Sequence, residues 1–326
     1  MASSRSGSPP IARISSSNPT YPTSSPLTKP SRTTPRSVTS TYSSAWSDSV
    51  LDNFEPLVTV LIPVYNGAQY LPIAIQSALE QSYRNIEVVV VNDGSTDDGA
   101  TAEVAARFGD AIRYFEKPNG GVASALNYGI AQARGEYIAW LSHDDFYLAD
   151  KVRTQVEYLR LLEEPETVTF TAIVLVDENG AVIRPHIVEN RWLQDVVLTV
   201  LSTSVNGCAT LVPKRIFEKV GTFDENLKTV QDNDLWLRMA LAGVPFAYLP
   251  EPLVGSRQHS QQTSVLIRDV HAVEKERFYF DAIKKIGPRA GVFHEEIRHI
   301  VCGKGLDRIA AYLDARHAAR ENHVQA

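Results

Sequence analysis

Val58-Thr59-Val60-Leu61-Ile62-Pro63-Val64-Tyr65-Asn66-Gly67 sets the pattern that the first half of the chain follows. It is apolar and β-branched without the alternation of a half-exposed strand, so it reads as a strand buried on both faces of a parallel sheet. Asn66-Gly67 breaks it. Leu71, Ile75, Ala78 and Leu79 then recur at helical spacing across residues 70–82, with Asn66 as the expected cap. A second buried strand, Ile86-Glu87-Val88-Val89-Val90-Val91, ends in Asn92-Asp93-Gly94-Ser95-Thr96-Asp97-Asp98. Strand, helix and strand in so short a span predict a right-handed crossover.

The alternation continues with a helix over 99–108, a strand over 111–116, the turn Lys117-Pro118-Asn119-Gly120-Gly121 and a helix over 122–134. The next strand opens at Tyr137 and stops on Ser142-His143-Asp144-Asp145. This order predicts an α/β fold with an open, mostly parallel sheet whose ligand groups gather at the strands' C-terminal ends. Pro63 to Asn66, Asp93 to Ser95 and Asp144-Asp145 all fall at such ends. Neighbouring carboxylates repel unless they are solvated or share a cation, and hard oxygen ligands suit Mg²⁺, Mn²⁺ or Ca²⁺. The competing reading of Asp144-Asp145 is a solvated turn.

Beyond residue 150 the pattern is less regular. A helix over 151–162, a strand over 167–176 and the turn Asp177-Glu178-Asn179-Gly180 predict a hairpin returning over 181–184. Helices are expected over 191–201 and 213–220, with a short strand over 208–212 between them. Asp232 stands where the helix bearing Leu235, Trp236, Met239 and Ala240 begins, so an N-cap is its simplest structural role. From Val265 onward the pattern is helical and loosely basic through Arg289, Arg298, Lys304, Arg308 and Arg316, which reads as helices packed on the domain or a solvated face, with a membrane-surface or partner helix as the alternative.

The chain of 326 residues is 44% hydrophobic, as a globular protein is, and carries a net charge of −6. That charge lacks the basic footprint of a general nucleic-acid binder, so no nucleic-acid partner is expected. Cys208 and Cys302 are too few for a disulfide framework or a thiolate metal site, which fits a reducing compartment. No apolar run is long enough to cross a bilayer, and residues 196–205 are broken by Thr and Ser. The expectation is a cytoplasmic protein, with peripheral contact at the inner face of the membrane left open. Residues 1–54, dominated by Ser, Thr and Pro with no acid before Asp48, are expected as a disordered tail. An organelle transit peptide is the alternative, and the prolines argue against its amphipathic helix. The folded domain is placed at 55–264 and a helical C-terminal extension at 265–326.

Val60-Leu61-Ile62-Pro63-Val64-Tyr65-Asn66-Gly67, Val91-Asn92-Asp93-Gly94-Ser95-Thr96-Asp97, Lys117-Pro118-Asn119-Gly120-Gly121 and Gly135-Glu136-Tyr137-Ile138 together closely resemble the family 2 inverting glycosyltransferases of the GT-A fold. Lys219-Val220-Gly221-Thr222-Phe223-Asp224-Glu225 and Gln231-Asp232-Asn233-Asp234-Leu235-Trp236-Leu237-Arg238 resemble that family's acceptor-side segment. The resemblance spans about residues 56–264. It implies a Rossmann-like open mixed sheet flanked by helices, and transfer of a sugar from a nucleoside-diphosphate sugar to a glycan, lipid-linked or protein hydroxyl. It also implies use in cell-wall, capsule, lipopolysaccharide or protein-linked glycan synthesis.

By that resemblance Pro63, Tyr65 and Asp93 surround the base and ribose, and Asn119, Gly121, Ser142, His143 and Asp144 complete the donor contacts. Asp144 and Asp145 hold a divalent cation, Mn²⁺ or Mg²⁺, with His259 placed at the metal or phosphates, and Asp232 is the general base. The chemistry is sound on its own terms: a cation stabilises the charge that develops on a departing diphosphate, and a carboxylate takes the proton of the attacking hydroxyl. Ser142 departs from the family's pattern, which carries an Asp there; it can bond a ribose hydroxyl but supplies no charge.

A sugar nucleotidyltransferase needs a Gly-rich, basic phosphate loop after the first strand, and residues 64–70 hold no Lys or Arg. A non-catalytic nucleotide-sugar binding module is the remaining alternative, opposed by Asp232. His294 and His299 are one residue too far apart for the zinc-protease helix pattern, and no Walker loop, GxGxxG or GxSxG elbow is present.

Overall fold

A computed structural model describes residues 54–202 and 205–324; apart from Phe54, the tail expected over 1–54 lies outside the described residues. The order is β1 (Val58–Val64), α1 (Leu71–Leu79), β2 (Ile86–Asn92), α2 (Ala100–Ala106), β3 (Arg113–Glu116), α3 (Val122–Gln132), β4 (Tyr137–Trp140), β5 (Phe146–Tyr147) and α4 (Lys151–Leu162). Then come β6 (Val168–Val176), β7 (Val182–His186), α5 (Val196–Ser202), β8 (Thr210–Pro213), α6 (Lys214–Val220), α7 (Gln231–Leu241) and β9 (Phe246–Arg257). The remainder is helical: α8 (Thr263–Leu266), α9 (Arg268–Ile286), α10 (Arg289–Val292), α11 (His294–Gly303) and α12 (Asp307–Val324).

The strands form one sheet in the order β3-β2-β1-β4-β8-β6-β9-β5, with β7 on β6. β1 is parallel to both β2 and β4, and every one of its residues is buried. The pleat divides its side chains between the faces: Val58, Val60, Ile62 and Val64 join a core with Leu71, Ile75 and Val104, while Leu61 joins the opposite core with Leu126, Trp236 and Ile283. The helices after residue 268 are built into that second core through Phe278, Tyr279, Ala282, Ile283, Ile297 and Val301.

Past β4 the parallel expectation gives way to a mixed sheet. β8 runs antiparallel to β4, and β6 antiparallel to β8, so two reversals restore the original direction. β9 is parallel to β6. Its C-terminal residue Arg257 therefore arrives at the same sheet edge as the ends of β1, β2 and β4.

β9 was not expected, because Pro250, Pro252 and Gly255 disguise a strand pattern. The register shows how they fit: Thr171 of β6 faces Leu249 and Ala172 faces Pro252, so Pro250 and Glu251 bulge out of the ladder. Asn66 is not the cap of α1, which begins after Tyr70. It sits in the left-handed region at φ 49°, and its Oδ1 accepts the Thr96 N–H at 2.7 Å, tying the β1 and β2 loops together. The single helix expected over 191–201 is a 3-10 turn at Asn190–Trp192 followed by α5.

Candidate active site

The loops after β1, β2 and β4 lie side by side because their strands do. Pro63 is buried in β1, while Tyr65, just past it, is 45% exposed with its hydroxyl 3.4 Å from Thr96 Oγ1. Asp93 follows β2 and is almost wholly buried, yet its carboxylate is satisfied. Lys117 Nζ donates to Oδ1 at 2.7 Å, Gly121 N–H donates to Oδ2 at 2.7 Å, and Gly120 N–H lies at 3.1 Å from Oδ1. The turn from Lys117 through Asn119 to Gly121 is thereby folded around Asp93 into a cradle at the N-terminus of α3. Close packing demands glycine here: a Cβ on Gly94, at φ +68°, would stand 2.7 Å from Asn119 N.

The β4 turn separates two carboxylates that adjoin in sequence. Asp144 Oδ2 lies 2.9 Å from His259 Nε2, their side chains 14% and 8% exposed. Asp145 turns inward, where Oδ1 accepts the Arg257 N–H at 2.8 Å. Burial, then the neighbouring Asp144, push its carboxyl up to about 7. Asp145 holds the end of β9 in place, while Asp144 pairs with His259, both side chains largely buried. His143 packs against the β1 loop so closely that a Cβ on Gly67 would meet its ring at 2.4 Å, and burial lowers its basicity. Ser142 is bonded to Cys208, its N–H 3.2 Å and its Oγ 3.3 Å from Sγ.

Arg257, missed in the sequence, organises this corner. Its Nε donates to the Asp144 carbonyl at 2.9 Å and its NH1 to the Glu178 carbonyl at 2.8 Å, while the guanidinium lies 4.7 Å from the Tyr70 ring centre. An isolated Arg carries no sequence signal for such a role; only the unexpected strand β9 brings it here.

The segment from Lys219 to Arg238 packs on the other face. Asn127 of α3 bonds both the N–H and the carbonyl of Phe223, and Trp140, Phe223 and Trp236 stack edge to face with centroids 5.8 and 6.4 Å apart. Asp232 lies one helical turn before Trp236. It is not an N-cap: Val230 holds that position, and Asp232 Oδ1 accepts the neighbouring Asn233 N–H. Desolvation in this position pushes its carboxyl up to about 6, into the range of a base working near neutral pH. Three buried polar atoms nearby in the chain or stack, Trp140 Nε1, Gln231 Oε1 and Asn233 Oδ1, have no protein partner.

A carboxylate oxygen beside an imidazole nitrogen is a donor set that suits Mn²⁺ and, with phosphate oxygens added, Mg²⁺. Among the described residues no group of three or more His, Cys, Asp or Glu is arranged to hold a metal, and the carboxylate–imidazole pair here is Asp144 with His259. No helix among the described residues is long and apolar enough to cross a membrane.

The profile of glycosyl transferase family 2 matches residues 59–221. A protein of Rickettsia felis described as an uncharacterized glycosyltransferase is 45% identical over 221 residues, 67% of this chain and 36% of that one. The putative teichuronic acid biosynthesis glycosyltransferase TuaG of Bacillus subtilis is 30% identical over 201 residues, covering 59% of this chain and 75% of its own. This chain spans only about a third of the length of the first curated relatives it matches. Among solved structures, the mannosyltransferase PcManGT of Pyrobaculum calidifontis, determined with GDP-Man and Mn²⁺, superposes with a TM-score of 0.56 at 21% identity, over 82% of this chain and 76% of that one. That likeness carries the GT-A fold.

Proposed function

The chain belongs to glycosyl transferase family 2, and from that premise we propose that it transfers a sugar from a nucleoside diphosphate to a hydroxyl acceptor with inversion at the anomeric carbon. The observation that carries this reading is the Asp144–His259 pair, 2.9 Å apart at the sheet edge beside the Asp93 cradle. Asp144 and His259 would hold a divalent cation, which would supply electrostatic stabilisation of the charge developing on the leaving group.

The other roles belong to the chain itself. Pro63, Tyr65 and Asp93 bound the nucleoside, with Asn119 and Gly121 forming the wall of its cradle and Ser142 within reach of a ribose hydroxyl. His143 fills the floor between the β1 and β4 loops. Asp145 and Arg257 hold the turn so that Asp144 and His259 face each other. Asp232 takes the proton of the acceptor hydroxyl as it attacks, and a single displacement of this kind inverts configuration. The nucleotide sugars borne by related folds and the teichuronic acid context of TuaG support a polysaccharide-type acceptor.

The test is transfer or hydrolysis of a panel of UDP-, GDP- and dTDP-sugars with Mn²⁺ or Mg²⁺, and again with chelator. Chelation and Asp144→Ala are each expected to lower the rate by about 100-fold or more, and Asp232→Asn by a similar factor. Full activity in both variants would overturn the assignment, and calorimetry detecting neither nucleotide nor metal would overturn the function.

A further inference from the structure

α7 carries Asp232 in its first turn, yet has no capping side chain of its own, since Val230 offers no oxygen. The N–H groups ahead of the helix are collected by one carboxylate from far along the chain. Glu274, in α9, accepts the Lys228 N–H at 2.9 and 3.1 Å to its two oxygens, the Thr229 N–H at 2.9 Å and the Thr229 hydroxyl at 2.8 Å. The Val230 N–H reaches it too. Successive N–H groups converging at a helix N-terminus make a seat for negative charge, strengthened by the aligned peptide dipoles. Burial pushes the Glu274 carboxyl up, but these hydrogen bonds outweigh it and hold the group below the usual carboxylate range.

The loop so fixed touches the donor side as well. Lys228 Nζ lies 3.9 Å from where a Cβ on Gly121 would stand, at the rim of the Asp93 cradle. Asn127 grips the same segment at Phe223 and Glu225. Residues 223–232 are therefore fastened to α3 at one end and to α9 at the other, and Glu274 lies outside the stretch 59–221 that matches the family.

We propose that Glu274 is a positioning residue for Asp232: by holding the 228–230 loop it sets where the first turn of α7 presents the base to the cradle, so the C-terminal helices complete the transfer site. This rests on Asp232 being the base.

The test compares Glu274→Gln, which keeps size and loses charge, with Glu274→Asp, which keeps charge, and with Thr229→Val, which removes one donor and leaves the carboxylate. Glu274→Gln is expected to lower kcat about tenfold or more, as displaced catalytic groups do, with the donor KM changed by less than about twofold. Glu274→Asp should recover part of kcat, and Thr229→Val should show a smaller loss in the same direction. On the residual rate of Asp232→Asn, adding Glu274→Gln should cost less than about twofold, the non-additivity of groups that act together. An unchanged kcat in Glu274→Gln, or a loss that adds in full to that of Asp232→Asn, overturns the inference while leaving the base assignment standing. Full activity in Asp232→Asn overturns the base assignment itself.

Discussion

Asp144 and Asp145 adjoin in the chain and differ in their surroundings, because the turn after β4 sends one carboxylate to His259 and the other to the backbone of Arg257. Asp144 faces His259 near the surface, and Asp145 is sealed beneath it against Arg257. Asp232 shows the same dependence on surroundings. Its carboxyl is raised to about 6 by burial, and a base must be ionised to act, so kcat/KM should fall about tenfold per unit as pH drops below about 6. A pH–rate profile checks this, and a flat profile down to pH 4 would remove Asp232 from the base role. The shift has a stability consequence of opposite sense. A carboxyl whose folded pKa is raised contributes its stability fully below the unfolded value of 3.8, and that contribution is lost as pH rises through about 6. Asp232→Asn, uncharged throughout, should therefore be more stable than the native chain at pH 7 by on the order of 1–3 kcal/mol, the gain vanishing near pH 4. Denaturant unfolding at the two pH values measures it.

At the scale of elements, the corner where β4, the β6–β7 turn and β9 meet is closed by Arg257. The Arg257 guanidinium bridges the Asp144 and Glu178 carbonyls, while the backbone N–H of Arg257 donates to Asp145 Oδ1. A lysine has no planar fork and cannot span both carbonyls. Arg257→Lys is expected to leave the fold intact, to cost about 1–3 kcal/mol, and to raise the Mn²⁺ concentration needed for half-maximal activity about tenfold or more, as loss of a ligand's supporting bonds does. A metal titration at saturating donor gives the answer, and an unchanged midpoint would mean that the Asp144–His259 pair does not depend on β9. The strand itself was hidden by its prolines, which the bulge at Pro250 and Glu251 accommodates without breaking the parallel ladder.

At the scale of the whole described unit, the helices after residue 268 are part of the core and not an appendage. Ile283 is fully buried, in one cluster with Trp236 of α7 and Leu61 of β1. Ile283→Ala should cost about 2–5 kcal/mol by the cavity it leaves. Because α9 also carries Glu274, the same substitution should lower kcat more than it weakens nucleotide binding. Calorimetric binding and turnover on one preparation separate the two, and equal losses would argue for global destabilisation alone. By contrast, a chain ending at residue 266 would strip this cover from α5 and α7 and is expected to lose cooperative unfolding.

The amino-acid sequence already carries the crossover of β1, α1 and β2, the parallel run to β4, and the gathering of Pro63, Tyr65, Asp93 and Asp144 on one sheet edge. Hydrophobic period and turn residues are local properties, and strand-end placement follows from them. It named Asp232 and His259 as candidates through ordered motifs that resemble a family, without showing what either would touch. Only the tertiary structure decided that Asp144 faces His259 while Asp145 faces Arg257, because those partners are more than a hundred residues away and arrive on a strand whose direction depends on two antiparallel reversals. Only it decided that Glu274 gathers the N–H groups of the loop leading into α7. A hydrogen bond across 46 residues leaves no period in a sequence, and a carboxylate on a helix reads as a solvated face until the helix is seen against its neighbour.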